Sequence, residues 1–241
     1  MLELTKTYDV CPSKKPALTA VFVHGIADDW TRFEKAFSYL TGLKKLENVR
    51  FVAFDLLGSG KSMKSDDLNY DLKEQTEALL NSIKKINIDT PLVLVGHSMG
   101  CLISANLAHH NKDLVKELIL VSPPVYTLKD FESPKFVAGI EGFKALIVMK
   151  NPKYKNDRAF DNELKLIVSS KQNYKTLASL TQPTTIIYGI ADKIIAAYNI
   201  PGLVKENPNI SAIKTMSAHG VSQDKYIEIG EVLERILDEA I

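Results

Sequence analysis

The hydrophobic residues of this chain fall into short runs that are apolar throughout rather than alternating with polar residues. The clearest runs occupy residues 20–23, 51–54, 92–95, 118–121 and 185–188. Uninterrupted runs of this length are typical of parallel strands buried on both faces of a sheet. Segments of helical period separate the first four runs, at residues 30–46, 68–86 and 99–110. Strand and helix therefore alternate, which predicts an α/β fold: a mostly parallel central sheet with helices on both faces.

This alternation breaks after Val121, because more than 60 residues separate that position from the next strand-like run. Pro123 and Pro124 disfavour helix at the start of the segment and mark a boundary. We therefore expect one core in two parts, residues 1–121 and 183–241, with a helical cap inserted at residues 122–182. The second part is predicted to end with a strand at 210–216 and a helix at 223–239.

Composition narrows the class of protein. The chain has 30 Lys and Arg against 29 Asp and Glu, a net charge of +1, which offers no electrostatic footprint for nucleic acid. No signal-peptide pattern opens the chain, and no apolar stretch reaches the roughly 18 residues of a membrane span. We therefore expect a cytoplasmic protein without a membrane segment. Cys11 and Cys101 are expected to be free thiols, since two such cysteines make no disulfide framework.

The strongest local motif is G-x-S-x-G at residues 96–100, directly after one apolar run and directly before a helical segment. In a nucleophile elbow the serine occupies a sharp strand-to-helix turn that projects its hydroxyl from the strand end, and the flanking glycines leave room for the neighbouring backbone. The motif therefore predicts Ser98 as a catalytic nucleophile. A plain strand-to-helix turn, with Ser98 as helix cap, has the same local pattern.

A serine hydroxyl needs a base, and the base needs an acid that orients it. Of the five histidines, only His219 lies beyond the last predicted strand, on a loop before the closing helix. Asp192 follows the run at 185–188 and precedes His219, which gives the chain order Ser, Asp, His expected for this architecture. We predict Ser98, Asp192 and His219 as a triad. The alternatives are a surface-loop histidine and a loop-capping aspartate.

Acyl chemistry also needs backbone N–H groups for the developing oxyanion. The predicted donors are Met99, after the serine, and Ile26, in the turn after the first strong strand, with Ala27 as the alternative to Ile26. The candidates for the substrate pocket come from that same turn and from the insertion: His24, Gly25, Ala27, Phe131, Phe136, Phe143 and Leu146, with Tyr154 also possible. The aromatic residues of the insertion could equally form the core of the cap. No metal or organic cofactor is expected, because no ligand cluster with metal spacing is present.

These motifs together resemble the α/β-hydrolase fold family over residues 18–240. The resemblance is carried by His24-Gly25, the Ser98 elbow, Asp192, His219 and a D-x-x-G-x-G-x-S loop at residues 55–62. It implies that this loop shapes the pocket entrance without joining the triad. Only about 17 residues precede the first strong run, so the sheet is expected to lack the family's usual first strand. Residues 58–62 also resemble the end of a phosphate-binding P-loop, but Asp55 stands where that motif requires glycine.

We therefore expect a serine hydrolase, of carboxylesterase type, that cleaves small carboxylic esters through an acyl-serine. Carbon–carbon bond hydrolysis is a rival, disfavoured because Gly220 follows His219 where those enzymes commonly have Trp. Acyl transfer and cofactor-free peroxidase activity use the same residues. From another class, the chain could be a non-catalytic receptor for a small apolar ligand. The sequence leaves monomer and homodimer open.

Overall fold

A single sheet of seven strands organises the residues that the computed structural model describes, which are 1–169 and 173–239. The strands are β1 Thr5–Val10, β2 Leu18–Val23, β3 Val49–Asp55, β4 Leu92–His97, β5 Glu117–Val121, β6 Thr184–Gly189 and β7 Ile210–Thr215. Their spatial order in the sheet is β1-β3-β2-β4-β5-β6-β7. Only the edge strand β1 is antiparallel to its neighbour, and the other pairs are parallel.

Helices connect the parallel strands. They are α1 Glu34–Leu40, α2 Leu72–Lys85, α3 Met99–His110, α4 Leu128–Phe131, α5 Pro134–Lys150, α6 Arg158–Ser169, α7 Asn173–Ala178, α8 Ile200–Glu206 and α9 Gln223–Asp238. The predicted α/β class is confirmed by this alternation. One strand precedes β2 in the chain, and it covers the edge of β3 by antiparallel pairing.

Two hydrophobic cores lie on opposite faces of the sheet. Within β2, Val21 and Val23 belong to one core, whereas Ala20 and Phe22 belong to the other. This division follows from the period of two along a strand, which turns successive side chains to opposite faces. Both faces are covered by helices, so the strands read as continuous apolar runs.

Two predicted helices differ from the structure. The segment at 30–46 is not one helix: a 3₁₀ turn at Trp30–Phe33 leads into α1, which ends before Gly42, and a second 3₁₀ turn follows. The helix predicted from residue 68 begins only at Leu72. Tyr70 has a positive φ of 55° and Asp71 caps the helix by accepting from the Glu74 amide, so the backbone cannot be helical before that point.

The β5–β6 connection, residues 122–183, carries α4 to α7 in place of a single crossover helix. Residues 170–172, inside the predicted cap at 122–182, and residues 240–241, inside the predicted second core part, lie outside the described residues. The helix α5 has no fully buried residue, although several of its apolar side chains face the carboxyl edge of the sheet and line a cavity there.

Candidate active site

Ser98 lies at the sharp turn between β4 and α3. Its backbone has φ 52° and ψ −118°, a region that residues with a side chain rarely adopt and that is often found at functional sites. The two motif glycines make this turn possible. A Cβ on Gly100 would lie 2.0 Å from the Val23 carbonyl oxygen, and one on Gly96 would lie 2.7 Å from Cα of Cys101. Both positions therefore exclude any side chain, as the G-x-S-x-G motif predicted.

The structure brings Ser98, His219 and Asp192 into one hydrogen-bonded chain. The Ser98 Oγ lies 3.0 Å from Nε2 of His219, and Nδ1 of the same ring lies 2.9 Å from Oδ2 of Asp192. A carboxylate can only accept, so Nδ1 carries the proton and Nε2 presents its lone pair to the serine hydroxyl. The sequence separations of 121 and 27 residues are closed at the carboxyl edge of the sheet.

Asp192 is held in the charged form by its hydrogen bonds. Burial alone would raise the pKa of this carboxyl, but the bonds from His219 and from the amides of Ile194 and Ile195 outweigh burial and lower it. Those two amides donate to Oδ1 at 2.9 and 3.3 Å, which leaves Oδ2 for the imidazole. A charged acceptor in this place fixes the ring orientation of His219.

The turn after β2 packs directly against the serine. A Cβ on Gly25 would lie 3.1 Å from Cβ of Ser98, so the next residues, Ile26 and Ala27, begin beside Ser98. Met99 is the first residue of α3, and the first amides of a helix have no acceptor within the helix. The two predicted oxyanion donors, the amides of Ile26 and Met99, thus belong to adjacent segments that flank Ser98.

His24 anchors this turn instead of lining a cavity. The ring is fully buried, Nδ1 donates to the Gly25 carbonyl at 2.8 Å, and Nε2 accepts from the Leu56 amide at 2.9 Å. Burial lowers the pKa of His24, which agrees with a neutral ring that uses one nitrogen as donor and the other as acceptor. The prediction that His24 lines the substrate pocket is therefore not supported, because the ring is in neither cavity lining.

Asp55 fills the loop that resembled a P-loop. Its carboxylate accepts from the amides of Trp30 and Lys61 at 3.0 and 2.8 Å. Gly60 has φ 50°, and a Cβ there would lie 2.1 Å from Oδ2 of Asp55. The carboxylate thus occupies the space beside Gly60, where no side chain fits. In this role Asp55 ties the 55–62 loop to the segment after β2.

Two cavities meet at Ser98. The first, of about 340 Å³, is mainly apolar. Its lining includes Ser98, Tyr126, Phe136, Gly139, Ile140, Phe143, Leu146, Leu164, Ile167 and Ile195. The second, of about 390 Å³, includes Gly25, Ile26, Ala27, Asp28, Arg32, Ser98, Phe143, Leu146, Lys150, Asn151, Tyr154 and His219. Pockets that are mostly apolar with a few convergent polar groups are typical of small-molecule sites.

Most of the predicted pocket residues line these cavities. Phe143 and Leu146 line both of them, Phe136 lines the first, and Gly25 and Ala27 line the second. Phe131 does not line either cavity and instead makes edge contacts with Tyr126 and Phe136, with ring centroids 5.8 and 5.4 Å apart. It therefore belongs to the packing behind the first cavity.

Cys101 lies in the hydrophobic core. Its thiol is buried, donates to the carbonyls of Gly96 and Val121, and has its pKa raised well above the usual value by burial. Neither Cys101 nor Cys11 is in a disulfide. In residues 1–169 and 173–239, no group of three or more His, Cys, Asp or Glu side chains is placed to hold a metal ion.

Sequence reasoning missed three buried polar residues near the site. The Lys225 side chain is completely buried and bonds to the loop that carries His219. The His97 ring donates to the carbonyl of His219 at 3.1 Å. Glu163, in α6, is 2% exposed, and burial raises its pKa to about 8 although the Ala27 amide and the Ser59 hydroxyl bond to it. Charged residues are rarely buried without a reason, but their burial is not visible in the sequence.

A parallel-sheet α/β fold with a strained serine between strand and helix, and with a histidine and an aspartate beyond the later strands, defines the general class of α/β hydrolases. The model of the alpha/beta hydrolase fold matches residues 21–145, more than half of the chain. The protein therefore belongs to the alpha/beta hydrolase fold family.

Relatives and solved structures agree with this assignment. The Arabidopsis thaliana protein named "Probable lysophospholipase BODYGUARD 5" is 40% identical over 121 residues, 49% of this chain and 27% of the relative. The "sn-1-specific diacylglycerol lipase ABHD11" of Danio rerio is 29% identical over 240 residues, 92% of this chain and 71% of that protein. The chain thus spans only about a quarter of the BODYGUARD relative. An esterase from Exiguobacterium antarcticum has the same fold, with TM-score 0.71, 20% identity and coverage of 96% and 94% of the two chains.

No helix within residues 1–169 or 173–239 is both long and apolar enough to cross a bilayer.

Proposed function

We propose that this protein is a serine hydrolase that cleaves carboxylic esters through an acyl-enzyme on Ser98. The observation that carries the proposal is the continuous hydrogen-bonded chain from the Ser98 hydroxyl through His219 to Asp192, with 3.0 and 2.9 Å separations. A weakly nucleophilic hydroxyl becomes reactive when a correctly oriented imidazole accepts its proton. The distances are within the range required for that transfer.

The mechanism proposed here has two stages. In the first, Ser98 Oγ attacks the ester carbonyl while its proton moves to Nε2 of His219, and the amides of Ile26 and Met99 bind the oxyanion. The protonated imidazole then gives its proton to the leaving alcohol, and an acyl-Ser98 ester remains. In the second stage His219 takes a proton from water, the hydroxide attacks the acyl carbonyl, and the proton returns to Ser98 as the acid leaves.

The two cavities support an ester with an apolar acyl group and a more polar alcohol. The larger apolar lining of the first cavity, from Phe136, Ile140 and Phe143, suits an alkyl chain. The second contains Arg32, Lys150 and Asn151 and suits a polar alcohol. Relatives whose names refer to lysophospholipase and diacylglycerol lipase support glycerol-based lipid esters as the substrate class. We further propose that residues 122–182 act as the cap over this site.

The rival functions differ in what they require. A ligand receptor has no need of an ordered proton path between Ser98 and His219, so the triad geometry favours an enzyme. Carbon–carbon bond hydrolysis and acyl transfer would use the same three residues. Gly220, next to the base, is the one local feature that separates this chain from the carbon–carbon hydrolases, and an ester remains the substrate that the two cavities fit best.

Covalent labelling tests the nucleophile before any substrate is known. The purified protein is treated with a fluorophosphonate probe, the modified residue is found by mass spectrometry, and Ser98→Ala is compared with Ser104→Ala. Ser104 is a matched control because it is a buried serine on α3, the helix that follows Ser98, and its hydroxyl has no hydrogen-bond partner. We expect labelling at Ser98 in the wild type and in Ser104→Ala, and none in Ser98→Ala.

Turnover of p-nitrophenyl esters from acetate to dodecanoate, and of monoacylglycerol and lysophospholipid, then defines the acyl preference. Labelling at Ser98 without turnover of any ester would contradict ester hydrolysis and favour acyl transfer or carbon–carbon cleavage. Absence of labelling would contradict an activated nucleophile and favour the receptor.

A further inference from the structure

The loop that carries His219 has no regular structure of its own. It joins the end of β7 at Thr215 to the start of α9 at Gln223. Backbone carbonyls in such a loop receive no partner from a strand ladder or a helix, so they must be satisfied in some other way. A catalytic imidazole on an irregular loop also needs its position fixed, because a small displacement breaks the proton path to the serine.

Two buried side chains hold three consecutive carbonyls of this loop. The Lys225 ammonium donates to the carbonyl oxygens of Ala218 and Gly220 at 2.5 and 3.0 Å. The carbonyl of His219 itself lies 3.1 Å from Nε2 of His97. The backbone is therefore bound immediately before, at and immediately after the base.

The Lys225 ammonium is fully hydrogen-bonded. The third N–H of the Lys225 ammonium donates to Ser122 Oγ at 2.8 Å, so all three of its donors have an acceptor and the side chain is held in one geometry. Ser122 directly follows β5 and has φ 51°. The ammonium thus connects the end of a central strand to the base loop.

His97 is suited to the same task as a neutral ring. A carbonyl can only accept, so Nε2 carries the proton, and Nδ1 is buried without a hydrogen-bond partner. Burial, and next the proximity of His219, lower the pKa of His97 far below its ordinary value. A neutral ring at a centroid distance of 5.2 Å from the His219 ring donates to the loop without placing a second positive charge beside the protonated base.

Burial of the Lys225 ammonium costs free energy. The residue lies in the first turn of α9, where the helix dipole disfavours positive charge, and its side chain is fully buried. Burial also lowers the pKa of Lys225. An apolar residue there would avoid the cost of removing the ammonium from water. The ammonium contributes one hydrogen bond to the backbone on each side of His219, to the carbonyls of Ala218 and Gly220.

We propose that His97 and Lys225 are positioning residues that clamp the backbone at 218–220 and so set the distance and orientation of the His219 imidazole toward Ser98. The proposal rests on the proposed function, because it assigns a role relative to that reaction. Lys225 lines neither cavity, whereas His97 also lines the second one, so KM of the His97 variants distinguishes a contact with the substrate from an effect made through His219. The contribution of the two residues is made through His219, and it should change the rate of chemistry more than the binding of substrate.

The kinetic test compares Lys225→Met, His97→Leu and His97→Gln with the wild type on p-nitrophenyl butyrate. Met keeps most of the length of Lys225 and removes all three donors, whereas Gln retains an N–H donor that Leu lacks. Lys214→Met, an exposed lysine on β7, is the matched control. We expect kcat to fall by roughly 100-fold in Lys225→Met and His97→Leu, while KM changes by less than about threefold. His97→Gln should recover part of the loss, and Lys214→Met should match the wild type.

Fluorophosphonate labelling gives a second readout that needs no ester turnover. The rate of labelling at Ser98 should fall in parallel with kcat in the two damaging variants. If Lys225→Met does not fold, the His97 pair decides the matter alone. Folded Lys225→Met and His97→Leu proteins with kcat and labelling rates within about twofold of the wild type would overturn the clamp.

Imidazole NMR separates failure of the clamp from failure of the proposed function. In the wild type we expect His219 to carry its proton on Nδ1 and His97 on Nε2, each as one sharp signal. The His219 signal should broaden or change tautomer in Lys225→Met. A wild type that hydrolyses no ester but shows this NMR behaviour would contradict ester hydrolysis and leave the clamp standing. An unchanged His219 signal in a folded variant would contradict the clamp even if the wild type is an esterase.

Discussion

The carboxylate of Asp192 uses one oxygen for His219 and the other for its own loop. Oδ2 lies 2.9 Å from Nδ1 of the imidazole, and Oδ1 accepts from the amides of Ile194 and Ile195. The loop bonds therefore fix the carboxylate, and the carboxylate fixes the ring. Because the two oxygens have different partners, the charge of Asp192 can be removed while its hydrogen bonds to the loop are kept.

Asp192→Asn is expected to preserve the loop and disable the base. The amide oxygen of Asn can still accept from the two backbone amides, so its NH₂ group faces Nδ1 and favours the tautomer with the proton on Nε2. That tautomer cannot accept from Ser98, and kcat should fall by roughly 10⁴-fold. Ester turnover and circular dichroism check this together. Asp113→Asn, at an exposed position, should retain full activity, and a residual kcat near the wild-type value in Asp192→Asn would refute the orienting role.

The buried carboxyl of Glu163 should make the free energy of unfolding depend on pH. Burial raises the pKa of this carboxyl to about 8 in the folded protein, whereas the pKa of a glutamate in an unfolded chain is about 4.3. The folded state therefore holds a proton that the unfolded state has lost across this window. Stability is at its full value below the unfolded pKa and falls as pH rises, by up to about 1.4 kcal/mol per pH unit until the folded pKa is passed.

Urea unfolding of the wild type and of Glu163→Gln at pH 5, 7 and 9 measures this effect. Gln cannot ionise, so the free energy of unfolding of the variant should exceed that of the wild type increasingly from pH 5 to pH 9. Glu141→Gln, an exposed glutamate of α5, provides the control and should follow the wild type. A constant difference between Glu163→Gln and wild type across the three pH values would show that Glu163 does not titrate in this window.

Gly100 lies where no side chain fits, whereas Gly142 has open space beside it. A Cβ on Gly100 would lie 2.0 Å from the Val23 carbonyl oxygen, whereas one on Gly142 meets nothing within 4 Å. Gly100→Ala must displace α3 from β2 and should cost about 1 to 3 kcal/mol or more, with loss of turnover because Ser98 moves. Gly142→Ala, inside α5, should instead stabilise the protein by about 0.5 to 1 kcal/mol. Denaturant midpoints give both values, and equal effects of the two substitutions would contradict the packing described here.

Substitution of Gly139 should change the selectivity for acyl-chain length. This glycine lines the first cavity, and a Cβ there meets nothing within 4 Å, so a large side chain can enter the cavity without moving the backbone. Gly139→Phe should lower kcat/KM for p-nitrophenyl octanoate by roughly tenfold or more relative to the acetate. Val137→Phe places the same ring on the same helix at a position that is 43% exposed and outside the lining. Equal chain-length profiles in both variants would mean that the acyl chain binds elsewhere.

Sequence patterns predicted the structure correctly where the conformation of a residue depends on its neighbours in the chain. The helix predicted at 99–110 is α3 without a change of boundary, because a strained serine and a close-packed glycine define its start. The predicted helix at 30–46 was wrong in its continuity, since an apolar period does not show that Gly42 interrupts it. The chain order of Ser98, Asp192 and His219 follows from the order of the strands, and the structure places the three in contact.

The sequence by itself determined the α/β class, the elbow and which histidine and aspartate could meet Ser98, because apolar period, glycine spacing and strand order are all properties of the linear chain. Only the tertiary structure decided that His24 is an anchor, that Phe131 lies behind the cavity, and that His97, Glu163 and Lys225 are buried beside the site. The physical reason is that burial and hydrogen-bond partners depend on residues far apart in the chain. Lys225 and Ser122 are 103 positions apart, and no local pattern of charge or polarity records that they touch.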